Sequence, residues 1–163
     1  MKKDISNVID NMITYYKGDK KRINHFLKVY SFCKTIGELE NLDDKTQYIL
    51  EIAGVTHDIG IKISEEKYNS SNGKYQEIEG PIVAKGMLED LDIDSSVIDR
   101  VCFLIGHHHT YNKIDNIDYQ ILVEADFLVN IDEDSMGKDE IATVKNKYFK
   151  TKSGIRFLEN MYE

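Results

Sequence analysis

The residues best equipped for chemistry in this chain are two imidazoles and two carboxylates spread over three segments: His25, the adjacent pair His57 and Asp58, and Asp126. Imidazole nitrogen and carboxylate oxygen suit a divalent ion such as manganese, iron, nickel, cobalt, zinc or magnesium. Four protein donors leave room on a six-coordinate ion for water and a substrate oxygen. An ion held this way lowers the pKa of bound water and polarises the substrate, which is the chemistry of a metal-dependent hydrolase. Asp58 follows the apolar run Ile52, Ala53, Gly54, Val55, and Asp126 lies between Ala125 and Phe127-Leu128-Val129. A carboxylate in such surroundings needs a cation or a dense set of donors, because an unpaired buried charge is costly.

The elements that must position these groups read as helices. One proline in 163 residues, Pro81, and long apolar patterns of period 3.6 predict an all-α domain of about six to eight helices. A first helix presents Ile5, Val8, Ile9, Met12 and Ile13, and a second, longer one runs from Ile23 to Leu39 and carries His25. A third starts at an expected N-cap, Asp44, and leads to His57-Asp58, with Gly60 as its stop. Residues 61–75 read as a long loop and candidate lid, with Asn69 to Gly73 as its turn chemistry. The fourth helix is expected over Gln76 to Leu91 with Pro81 in its first turns, and a fifth is capped by Asp94 or Ser95 and leads into Gly106-His107-His108-His109. The sixth starts near Asp118 and carries Asp126, and two short C-terminal helices close the domain.

Composition narrows the class. A content of 41% hydrophobic residues supports one core, so residues 1–163 are expected to form a single domain, its central part at about 20–132. No apolar run approaches the roughly 18 residues a membrane helix needs, and the N-terminus lacks the apolar stretch of a signal peptide, so the expected location is the cytoplasm. A formal charge of −8 argues against an extended nucleic-acid surface. The local basic group Lys17, Lys20, Lys21 and Arg22 reads first as a solvated helix start. Cys33 and Cys102 sit inside apolar helical patterns and read as two buried free thiols.

The order His25, His57-Asp58, Asp126, all on helices, resembles the HD superfamily of metal-dependent phosphohydrolases. The resemblance covers about Arg22 to Asn130 and includes His25-Phe-Leu-Lys-Val, Val55-Thr-His-Asp-Ile-Gly, Gly106-His-His-His-Thr and Glu124-Ala-Asp-Phe-Leu. It implies the compact helical bundle of that family, with His25, His57, Asp58 and Asp126 as metal ligands. One ion is expected and a second is possible. Relatives that hold two metals place a further His where this chain has Gln76, and no His occurs between Asp58 and His107. Glu77 or Glu79 could stand in as oxygen ligand or base.

Alignment of the histidine triplet selects His108 as the inward residue, to ligate a second metal or donate to phosphate, with His109 next to it. Lys62 falls one residue beyond the lysine of many relatives, and Arg22 precedes His25; both are candidates to meet a substrate phosphate. The implied activity is hydrolysis of a phosphomonoester or phosphodiester of a nucleotide-like small molecule, with Asp58, His108 and Glu79 in the catalytic roles. Two alternatives are a non-catalytic nucleotide- or metal-binding regulatory module and a di-iron oxygenase of the same superfamily. The N-terminal helix and the C-terminal pair could either cover the core or build a homo-oligomer.

Overall fold

The computed structural model describes residues 2–163, and among them every regular element is a helix. Nine occur in chain order: α1 (Lys2–Tyr15), α2 (Lys20–Leu39), α3 (Asp44–Thr56), α4 (Ile61–Tyr68), α5 (Gly73–Asp90), α6 (Ser95–Ile105), α7 (Ile117–Glu133), α8 (Lys138–Tyr148) and α9 (Lys152–Tyr162). The centre is a layer of α2, α3 and α7, each packed on the other two. α1 and α6 lie against α3, α5 lies between α4 and α6, and α8 and α9 lie against α7. None of these helices is long and apolar enough to cross a membrane.

Apolar periodicity explains the central layer. α3 buries every residue from Tyr48 to Thr56, and α7 buries nearly all of its length from Asp118 to Ile131, so both are covered all round rather than amphipathic. Phe26, Val29, Cys33 and Ile36 form the buried stripe of α2 at the 3–4 residue spacing of one helix face. Two glycines let these helices come close. A Cβ on Gly54 would sit 3.0 Å from Cys33 Sγ and 3.2 Å from Tyr30 Cα, so α3 meets α2 nearly backbone to backbone. A Cβ on Gly60 would sit 2.8 Å from the Gly80 nitrogen, which ties the turn after α3 to α5.

Several local expectations need correction. The segment expected as a loop over 61–75 contains α4, and only residues 69–72 connect it to α5. α4 is two turns long and buries only Ile61 and Ser64, too short a pattern to show a period, and it ends where Asn69 turns left-handed at φ 52°. The helix expected from Gln76 begins at Gly73, so Pro81 falls in its interior, where its missing N–H removes one helical hydrogen bond. Asp43, not Asp44, caps α3, its side chain accepting from the Thr46 amide at 3.0 Å. α3 stops at Thr56, and Gly60 opens α4 rather than closing α3. Cys33 is a buried free thiol as expected, whereas Cys102 is only half-buried, its Sγ donating to the Pro81 carbonyl at 3.4 Å.

Candidate metal centre

His57 and Asp58 stand in the four-residue turn between α3 and α4, which resolves the problem of adjacent residues on a helix diverging by about 100°. His25 reaches in from the first turns of α2 and Asp126 from the middle of α7. Their donor atoms converge. His25 Nε2 lies 3.1 Å from Asp58 Oδ2, 3.2 Å from Asp126 Oδ1 and 3.2 Å from His57 Nε2. His57 Nε2 lies 3.4 Å from Asp58 Oδ2 and 3.3 Å from Asp126 Oδ1.

What holds each group leaves its inner atom free. His57 donates from Nδ1 to the Gly54 carbonyl at 2.8 Å, and His25 from Nδ1 to Glu133 Oε2 at 3.0 Å, so in both rings Nε2 is the atom offered inward. Asp126 Oδ1 is buried and, despite its short distances to both rings, receives no directed hydrogen bond. An orphaned buried carboxylate oxygen facing two imidazole nitrogens fits a divalent ion well, because the ion supplies the charge that these donors lack. Tyr16, from the segment after α1, donates its hydroxyl to the Asp58 carbonyl at 2.7 Å and so fixes the turn from below.

The electrostatics agree with that fit. Burial pushes the Asp58 carboxyl up, but His57, His108 and His25 outweigh it and hold Asp58 well below the usual carboxylate range. Asp126 is depressed in the same way, burial being overcome by His25 and His57. Burial alone would lower His25, yet Asp126 and Asp58 raise it to about 10, and His57 is likewise raised well above its ordinary value. Without an ion, protons on these two rings balance the two carboxylates.

A second cluster adjoins the first. Asp58, His108 and His109 each place a donor atom within 4.8 Å of the others. His108 is fixed through Nδ1, which donates to the Ile105 carbonyl at 2.8 Å, while its buried Nε2 has no hydrogen-bond partner and lies 3.4 Å from Asp58 Oδ1. His109 Nε2 faces Gln76 Oε1 at 3.1 Å, the Gln76 amide being oriented by its own donation to the Ser71 carbonyl at 2.6 Å. Burial and the neighbouring His108 push His109 down to about 4, so it is neutral at pH 7.

Residues 22–137 match the HD domain family, a stretch that contains all four donors of the first cluster and the whole of the second. The chain belongs to the HD domain family. Its fold is similar to that of a predicted HD superfamily hydrolase from an uncultured Thermotogales bacterium. The TM-score is 0.67 at 24% identity, over 98% of this chain and 84% of that one. Among curated proteins none matches the chain.

The remaining candidates of this HD domain are placed unevenly. Arg22 lines the cleft over the cluster, but its guanidinium is clamped by Asp19 at 3.2 Å and by Glu65. Lys62 turns away to the Tyr15 carbonyl at 3.3 Å and lies over the Tyr15 ring. Glu79 is engaged by Lys67 at 3.1 Å and Tyr68 at 2.9 Å, contacts that hold its carboxyl below the usual range, and it is not among the donors that converge. Glu77 accepts from Thr110 at 2.9 Å and from the His109 amide at 3.3 Å, which makes it a brace for the histidine loop. Sequence reasoning missed Tyr16 and Glu133. Neither carries a local motif, although Glu133 stands seven residues after Asp126 on α7, close to two turns and therefore on the same face.

Proposed function

We propose that this HD domain is a metal-dependent phosphohydrolase that cleaves a phosphomonoester or phosphodiester of a nucleotide-like small molecule. The observation that carries this reading is the convergence of His25 Nε2, His57 Nε2, Asp58 Oδ2 and Asp126 Oδ1 beneath an open cleft. That cleft, lined by Arg22, His25, Asp58, Ser71, Asn130 and Glu133 among others, measures about 460 Å³, inside the roughly 300–1,000 Å³ range of small-molecule sites. A larger cavity of about 550 Å³ near the N-terminal ends of α1, α3 and α6 is lined by Asp4, Asp44, Asp92 and Asp94 and holds no imidazole, so size alone does not choose the site.

When bound, a divalent ion would supply an acidified water and a Lewis acid for the phosphoryl oxygen. The chain's own groups do the rest. Asp58 is shared between the two clusters: Oδ2, beside His25, would hold the ion, while Oδ1 faces His108. His108 Nε2, buried without a hydrogen-bond partner at that corner, is placed to hold a second ion with Asp58 and His109 while Nδ1 carries the ring proton, or, in the imidazolium, to donate to an oxygen on which charge develops. Among the described residues lining the cleft, the lysine and arginine cations are Lys21 and the clamped Arg22, set against Asp19, Glu133 and Asp134. This balance supports a substrate presenting one phosphoryl group to the centre in preference to a polyphosphate chain.

The test is turnover of a broad phosphate-ester panel by the purified chain with manganese, cobalt or nickel. Wild-type protein is expected to hydrolyse at least one ester, releasing phosphate from a monoester or an alcohol and a phosphomonoester from a diester, and Asp58→Ala to fall to background. No turnover by the wild type on that panel, with Asp58→Ala indistinguishable from it, refutes the reading.

A further inference from the structure

The four histidines around the centre are not oriented alike. His57 and His108 give their outer N–H to main-chain carbonyls, and His109 faces the neutral amide of Gln76. His25 alone gives its outer N–H to a charged group, Glu133, at 3.0 Å. We propose that Glu133 is a positioning residue of the metal centre, fixing the ring of His25 and strengthening Nε2 as a donor to the ion; the inference rests on the metal reading above.

Three observations carry it. Glu133 is the last residue of α7, the helix that also supplies Asp126, so one rigid element provides a direct carboxylate and the carboxylate behind the facing imidazole. The contact is specific: Glu133 lies nearer to His25 than to the cation beside it, Lys28, which is 3.8 Å away. Its side chain is only 19% exposed and lines the cleft, so it works where water is partly excluded. A carboxylate accepting the far N–H of a ligand imidazole raises the basicity of the ligating nitrogen and locks the ring. Loss of such a partner typically weakens metal binding about 10–100-fold.

The experiment titrates manganese or cobalt into the metal-free full chain and records the dissociation constant beside the thermal midpoint of the metal-free protein. Glu133→Ala is expected to weaken binding about 10–100-fold, and Glu133→Gln, whose oxygen can still accept the N–H, to weaken it less. Lys28→Ala breaks the other contact of Glu133 and should leave affinity unchanged, with the metal-free midpoints of all variants close to wild type. Wild-type affinity in Glu133→Ala overturns the proposal, as does a lowered midpoint with affinity unchanged, which would mark a merely structural residue. A wild-type protein that binds no ion would overturn the metal reading along with it, an outcome distinct from either.

Discussion

At the scale of single residues, the rings of His25, His57 and His108 are held through Nδ1, while Asp126 Oδ1 and His108 Nε2 are buried without a hydrogen-bond partner. Protons on His25 and His57 occupy the place of the missing positive charge, which makes metal binding a proton exchange. His25 is raised from an ordinary 6.5 to about 10, so its imidazolium contributes stability in full below about 6.5 and loses it as pH rises through about 10. Asp58 and Asp126 are depressed from 3.8, so their contribution is present above that value and is lost in acid. Metal-free protein should therefore be most stable between about pH 4 and 6.5 and weaken toward pH 10. Metal affinity should do the opposite and rise across the same alkaline range, with net release of protons on binding. Calorimetric titration in buffers of different ionisation enthalpy measures that release, and a value near zero would contradict the paired-proton account.

At the scale of elements, the site depends on how closely α2 meets α3. Gly54 is one turn before His57, and the space its missing Cβ leaves is filled by Cys33 and the Tyr30 backbone. Gly54→Ala would gain about 1 kcal/mol in helix propensity and lose about 1–3 kcal/mol to overpacking, a net destabilisation of up to about 2 kcal/mol. Because the backbone of α2 must give way, the separation of His25 from His57 should grow and metal affinity fall with it. Gly86, toward the C-terminal end of α5 with nothing within 4 Å of its would-be Cβ, is the internal contrast: Gly86→Ala should stabilise by about 0.5–1 kcal/mol and leave metal binding alone. Denaturant unfolding of the two variants would show opposite signs, and destabilisation by both would refute the packing argument.

At the scale of the whole molecule, elements outside the matched 22–137 region are joined to the centre by polar contacts. Tyr16 reaches the Asp58 carbonyl, and Tyr162 of α9 donates to the Leu128 carbonyl at 2.5 Å, two residues along α7 from Asp126. Buried Glu124 accepts from the Thr151 hydroxyl at 2.6 Å and from the Lys150 and Thr151 amides at 3.1 Å, which stitches the α8–α9 turn to α7. Since the ligands come from α2, the α3–α4 turn and α7, an ion would cross-link the central layer. Manganese or cobalt at 100 times its dissociation constant should raise the unfolding free energy by about 2.7 kcal/mol, read as a concentration-dependent thermal shift. Asp126→Ala should abolish that shift.

Residue type and order determined a good deal by themselves. Buried carboxylates beside apolar runs and imidazoles on separate helical patterns singled out His25, His57, Asp58 and Asp126 as groups in need of a cation, and the fold brings their donor atoms together. Long helices were legible for the same reason, their apolar period being set by burial. α4 was not, since eight residues with two buried positions show no period, and the place of Pro81 shifted once Asn72 was seen to cap α5 from further upstream. Only the tertiary structure decided which other polar groups serve the centre. It sent Glu79 to Lys67 and Tyr68 and Lys62 to Tyr15, and it brought Glu133 and Tyr16, which no motif marks, against His25 and Asp58. Those pairings span up to 108 residues and depend on helix packing angles and on close approach at Gly54 and Gly60, quantities that local sequence does not encode.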